Sequence, residues 1–198
     1  MLQPYAANEA KTHSKLAIVG LGANLSSEIG TPQDTIRHAI ELLKAENVQI
    51  QDVSRLFCTP CVPKGAGPDY VNAVLILTTN LGPRDLLSCL HSIEKLLGRE
   101  RSIRWGQRVL DLDLLAYDDK ICPDLATFQH WRELPPEQQT KLTPDQLILP
   151  HPRIQDRAFV LVPLVEIAPN WQHPVLQRSA RQLLDDLDPS DIAEIVPI

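Results

Sequence analysis

The chain has 198 residues, a formal net charge of −6, a pI near 5.5 and four scattered cysteines. That acidic balance argues against general nucleic-acid binding, which asks for a broad basic surface. The cysteines do not form the pattern of a secreted disulfide framework, no apolar leader precedes a cleavage site, and no apolar run could span a bilayer. These features predict a cytoplasmic protein large enough to bury a core without covalent staples.

Residues 1–15 are polar and aperiodic and are read as a flexible tail ahead of one domain over 16–198. Residues 16–21 form an apolar run that predicts a buried strand, ending in Gly20-Leu21-Gly22. A nucleotide-loop reading of this Gly-x-Gly fails, because it lacks both the third glycine of a dinucleotide loop and the Gly-Lys-Ser/Thr of a P-loop. Thr31 as N-cap, Pro32 at the first helical position and Asp34 three after the cap announce a helix with Ile36, Ala39, Ile40 and Leu43 on one stripe. Residues 48–57 predict one strand, the proline-bearing 59–68 a loop, and 70–79 a strand buried on both faces. Pro83 opens a second helix with Leu86, Leu90, Ile93 and Leu97 on its stripe and Gly98 as a left-handed terminator.

Residues 98–117 concentrate the chemistry. Arg99, Arg101, Arg104 and Arg108 fall within ten residues beside Trp105, and residues 109–117 then alternate as a strand. Leu110, Leu112 and Leu114 share one face of it, Asp111 and Asp113 the other. Alternate residues of a strand lie about 6.5 Å apart, so both carboxylates can serve hard cations such as Mg2+. Guanidinium forks beside them suit phosphate oxygens, and together they suit transfer of a phosphoryl or pyrophosphoryl group. Alone, an Asp-x-Asp is often a polar strand edge and an arginine-rich loop often plain surface; their adjacency carries the reading.

The order strand, helix, strand, strand, helix, strand predicts an α+β ferredoxin-like βαββαβ sandwich. Residues 121–148 read as an inserted excursion with one or two short helices, starting at Pro135 or Pro144. Additional C-terminal helices are expected over 157–167, with Pro163 as a kink or a restart, and over 179–187.

These segments resemble the 6-hydroxymethyl-7,8-dihydropterin pyrophosphokinases of folate biosynthesis. The resemblance rests on Gly22-Ala23-Asn24-Leu25, Pro68-Asp69-Tyr70-Val71-Asn72-Ala73, Arg104-Trp105-Gly106-Gln107-Arg108 through Asp113, and Leu149-Pro150-His151-Pro152 through Arg157-Ala158-Phe159 to Glu166-Ile167-Ala168-Pro169, in family order. It implies a monomer that moves the β,γ-diphosphate of ATP onto the hydroxymethyl group of the pterin, leaving AMP. By the same resemblance, Asp111 and Asp113 hold two Mg2+ ions, while Arg99 and Arg108 act catalytically on the triphosphate. Thr59, Val62, Tyr70, Asn72, Trp105 and Phe159 bind the pterin, and Glu94, Arg101, His151 and Arg157 line the ATP site. Two departures bear on loop closure: Gln107 stands where the family usually has proline or a small residue, and the arginine loop is one residue shorter than in a bacterial relative.

Other readings compete. Arg99 to Arg108 with Trp105 could be a single-stranded RNA surface on a ferredoxin-like module, although paired carboxylates would repel phosphate there. A Mg-dependent phosphotransferase acting on another heterocycle shares the Asp pair and differs only in the pocket. Cys58 and Cys61 have no second pair at a zinc-site spacing and read as small apolar fillers.

Overall fold

The structure is a computed structural model that describes residues 14–61, 65, 67–98, 108–139 and 141–198. Strand β1, Lys15–Ala23, lies at the centre of an antiparallel sheet between β4, Tyr70–Thr79, and β5, Asp111–Tyr117. On the far side of β4 pair β2, Val48–Val53, and β3, Phe57–Thr59, so the order runs β5-β1-β4-β3, with β2 and β3 following one another along the same edge of β4. This is the predicted ferredoxin-like arrangement, with its second strand broken in two. The single strand expected over 48–57 is interrupted at residues 54–56. There the Ser54 N–H donates to Val74 O, and Ser54 Oγ accepts from Val74 N–H. Arg55 is meanwhile pulled outward by Glu166, whose carboxylate takes its backbone N–H at 2.8 Å and pairs with its guanidinium. A short strand at Val196–Pro197, β6, pairs with β3 and was not foreseen from the sequence.

Period-2 alternation sends the strands' apolar side chains to two separate layers. Ala17, Val19, Leu21, Leu75, Leu77, Leu112 and Leu114 pack against helices α1, Pro32–Lys44, and α2, Pro83–Leu96. The α1 cap has the predicted form, with Thr31 Oγ1 accepting the Asp34 N–H and Asp34 returning a bond to the Thr31 N–H. Gly98 takes φ +89°, the left-handed conformation expected after α2.

On the other face, Ile18, Val74, Leu115 and Ala116 pack against α5, Ala158–Ile167, and α6, Ala180–Asp185. A register shift opposite Ile18 and Val19 skips Leu115, and this bulge lets β5 place Leu115 and Ala116 on the same layer. Helix α5 runs unbroken through Pro163, which neither ends nor restarts it.

The excursion carries two short helices, within the expected number, but their starts differ in part from expectation. Its main helix is α3, Leu125–Glu133, started by Asp124 as N-cap rather than by a proline. Only a single turn, α4 at Pro136–Gln139, follows Pro135, and none begins at Pro144. Helix α7, Pro189–Ala193, comes after α6. Lys15 belongs to β1 and not to a tail; the rest of that predicted tail, to His13, lies outside the described residues.

Candidate active site

The apolar cover of the second face stops half-way along the strands, and a cavity of 340 Å³ opens there. Its floor is β1, where Gly20 and Gly22 follow Ile18 on the same face. Gly22 pairs with Asp111 on one side and Asn72 on the other, while Gly20 pairs with Asp113 and Val74. Neither glycine has positive φ, so neither forms a nucleotide loop. What they supply is space: a Cβ on Gly22 would sit 3.0 Å from Asn72 Oδ1, and one on Gly20 would sit 3.3 Å from a Leu115 methyl. Sequence reading assigned these glycines no role; the assembled sheet sets Gly22 beside Asn72 and Asp111 and Gly20 beside Asp113.

Sheet order then lays the polar groups out in a line. β5 contributes Asp111 and Asp113, β1 the bare floor, β4 Asn72 and β3 Thr59. Neighbouring strands are about 4.8 Å apart, so Asp111 and Asn72 are separated by about 10 Å. Asn72 is 7% exposed, and its amide is held by donating from Nδ2 to Thr59 Oγ1 at 2.7 Å.

Across the floor, α5 and the turn before it contribute His151, Arg157, Phe159 and Val160, and Tyr70 enters from the start of β4. The Arg157 guanidinium lies 5.5 Å from the centre of the Phe159 ring and 3.9 Å from Asp113. Arg108 pairs with Asp111. Both carboxylates therefore face an arginine, and the charges in the cavity are arranged in opposed pairs. Burial pulls the Arg157 guanidinium below its ordinary value, and Asp113 opposes this. Burial also pushes the Tyr70 phenol up.

His151 is neutral at physiological pH. Burial lowers its imidazole from 6.5 to about 3, and the neighbouring Arg157 charge acts in the same direction. Its Nδ1 accepts the Arg153 N–H at 3.1 Å, so the ring proton resides on Nε2.

Two positions behave differently from expectation or went unnoticed. Glu94 does not line the cavity. It is 1% exposed on α2, on the opposite side of the sheet, where Oε1 accepts the Leu112 N–H at 2.7 Å. It thus fastens β5 from behind, between the two aspartates. Asn24, 4% exposed, accepts the Arg108 N–H at 2.7 Å through Oδ1 and donates to Pro68 O at 3.0 Å. It joins the exit of the arginine loop to the segment leading into Tyr70. Val62, Arg99, Arg101 and Trp105, with the rest of 99–107, lie outside the described residues.

The cavity thus gathers Thr59, Tyr70, Asn72, Arg108, Asp111, Asp113, His151, Arg157 and Phe159 from five separate segments. Among the described residues no cluster of three or more His, Cys, Asp or Glu could hold a metal unaided. Two carboxylates are a fitting protein share for Mg2+, which commonly takes its remaining ligands from water and substrate phosphates.

The profile of the 7,8-dihydro-6-hydroxymethylpterin-pyrophosphokinase family matches residues 18–169. The chain belongs to that family. A 2-amino-4-hydroxy-6-hydroxymethyldihydropteridine pyrophosphokinase of Synechocystis is 36% identical over 187 residues, covering 91% of this chain and 80% of its own. One from Methylorubrum extorquens is 32% identical, over 90% of this chain and 98% of its own. Among solved structures, a Plasmodium falciparum HPPK-DHPS with pterin and p-hydroxybenzoate superposes with a TM-score of 0.62 at 15% identity. That match covers 90% of this pyrophosphokinase-family chain and 44% of the Plasmodium chain, and it supports the fold alone.

Proposed function

We propose that this chain transfers the β,γ-diphosphate of ATP as one unit to the hydroxymethyl oxygen of 6-hydroxymethyl-7,8-dihydropterin, with Asp111 and Asp113 as the Mg2+ ligands. Pyrophosphokinase activity on the hydroxymethyldihydropterin of folate biosynthesis follows from family membership. The observation that carries the residue assignments is the linear order of the cavity: acidic pair, bare glycine floor, amide, hydroxyl.

A flat heterocycle lying over Gly22 would meet Asn72, an amide able to donate and accept at its amino-pyrimidinone edge, with Thr59 behind it. Tyr70 and Phe159 offer aromatic faces to the ring. The hydroxymethyl group would then point toward Asp111 and Asp113. When bound there, Mg2+ supplies positive charge at the phosphate oxygens and acidifies the attacking hydroxyl.

The hydroxymethyl oxygen gives up its proton to water and forms a bond to the β-phosphorus, the bond from that phosphorus to the α-phosphate oxygen breaks, and AMP leaves. Arg108 and Arg157 hold the charge that grows on the phosphates, and His151 donates from Nε2 without adding a charge of its own. Arg99 and Arg101 would complete the nucleotide side from the arginine loop, and Val62 and Trp105 the pterin side.

The chain is proposed to act as a cytoplasmic monomer. Its four thiols are free. No helix among the described residues is long and apolar enough to cross a membrane.

An assay with ATP, Mg2+ and the hydroxymethyldihydropterin, resolving AMP from ADP, tests this. AMP formed only when pterin and metal are both present is expected. ADP as the product would mean transfer of one phosphoryl group and overturn the reading.

A further inference from the structure

The excursion over 121–149 leaves and rejoins the fold at one place, where Cys122 and Leu149 exchange N–H to O bonds of 2.9 and 3.1 Å. Beyond that base it is tied down by Arg153. The guanidinium donates to three backbone oxygens at the end of α3: Arg132 at 2.9 Å, Trp131 at 3.1 Å and Leu134 at 3.1 Å. It also meets Asp156 at 3.3 Å, and its side chain is 14% exposed. A helix C-terminus leaves carbonyls without intrahelical donors and carries partial negative charge, so a cationic fork satisfies both demands.

The same residue reaches a cavity-lining side chain, His151, through its backbone. Its N–H donates to His151 Nδ1, the His151 N–H donates to Leu115 O at 2.7 Å, and the Ile154 N–H returns to His151 O at 3.2 Å. Residues 151–154 therefore form one tight turn, held at one edge by β5 and at the other by α3.

We propose that Arg153 is a positioning residue for the nucleotide side of the site: anchored on the open end of α3, it holds the 151–154 turn so that His151 presents Nε2–H toward the triphosphate. The excursion is then a brace for His151. The inference rests on the reading of His151 as a triphosphate donor; the brace itself rests only on the bonds around Arg153.

The experiment compares Arg153→Ala with Arg153→Lys and His151→Ala, measuring KM for ATP and for pterin separately, kcat, and the His151 ring tautomer by 15N NMR at pH 7.5. The wild type is expected to show one tautomer, with its proton on Nε2. Arg153→Ala should show a mixture of the two and raise KM for ATP about tenfold while leaving KM for pterin within twofold. Arg153→Lys keeps the charge but cannot reach three carbonyls at once, and should fall between.

A fall in thermal stability with an unchanged tautomer and both KM values unchanged would overturn the proposal and make Arg153 a structural tie only. If His151→Ala leaves KM for ATP untouched, the triphosphate reading of His151 fails, while the tautomer in Arg153→Ala still decides the brace. Should Arg153→Ala not fold, Arg153→Gln retains a single amide donor group and gives the same two readouts at smaller size.

Discussion

The two faces of the sheet are built from the same three strands and have opposite fates. Toward α1 and α2, β1 presents Ala17, Val19, Leu21 and Ala23, β4 presents Val71, Ala73, Leu75 and Leu77, and β5 presents Leu112 and Leu114, all buried. Toward α5 and α6 the apolar series ends at Ile18, Val74 and Leu115, and the positions next in line are Gly20, Gly22, Asn72, Asp111 and Asp113. One face is closed by packing; the other is closed for half its length and polar for the rest. Because side chains two apart share a face, moving along a strand by one residue switches between scaffold and site. A substitution on either face should therefore report in a different observable.

The largest expected effect is on the open face. Asp113→Ala removes half of the acidic pair and should lower kcat by roughly 10²–10³-fold, the scale on which removal of one charge-stabilising group from an active site acts. The melting temperature should change little, since the Asp113 side chain is 44% exposed and its nearest guanidinium is 3.9 Å away. Comparable loss of melting temperature and activity would mean that Asp113 supports the fold rather than the reaction. Leu75→Ala, two strands away and fully buried on the closed face, should do the reverse. It should cost about 2–5 kcal/mol of unfolding free energy in urea while KM for both substrates holds.

The legibility of the two faces differed as well. The closed face could be read directly, because alternating Val, Leu and Ala against two amphipathic stripes leaves one packing solution, and Thr31 and Gly98 mark the helix ends by their own backbone chemistry. Asp111 and Asp113 were legible for the same reason. What parity cannot reveal is which strand lies beside which, so the pairing of Gly22 between Asp111 and Asn72 was hidden until the sheet was assembled. For Glu94, a carboxylate on a helix stripe gives no hint that it reaches a backbone N–H of β5. Helix α3 was missed because its apolar stripe is short: only Phe128 among its residues is fully buried, and it packs 5.8 Å from the His173 ring. The gap at residues 54–56 depends on Glu166, more than a hundred residues away, which no local pattern contains.

The glycine floor allows a finer test of the open face. Gly22→Ala brings a methyl group to 3.0 Å from Asn72 Oδ1, an atom held by the bond from its own amide to Thr59. The amide must give way, and KM for pterin should rise about tenfold, the equivalent of one misaligned hydrogen bond, with KM for ATP little changed. Gly20→Ala meets a Leu115 methyl at 3.3 Å, the end of a side chain that can turn, and should raise KM for pterin by less. If the two variants behave alike, contact with Asn72 is not what sets the spacing.

The smallest effect is read in the pH dependence of stability. His151 beside the cavity and His173 between the rings of Phe128 and Trp171 are both depressed by burial, from 6.5 to about 3 and about 4 respectively. Each binds a proton more readily in the unfolded chain than in the folded one. The stability they contribute is therefore present above pH 6.5 and is lost as the pH falls toward 4 and then 3. Unfolding free energies from urea titrations between pH 7 and 4 should fall with a slope of up to about 1.4 kcal/mol per pH unit for each histidine. His173 accepts the Val175 and Leu176 N–H groups on Nδ1, both at 3.2 Å, and is fully buried. An asparagine can accept at that position but cannot titrate, so His173→Asn should remove its share of the slope while leaving activity intact. An unchanged slope would place the acid sensitivity elsewhere, and a fall in activity would mean that His173 is coupled to the open face after all.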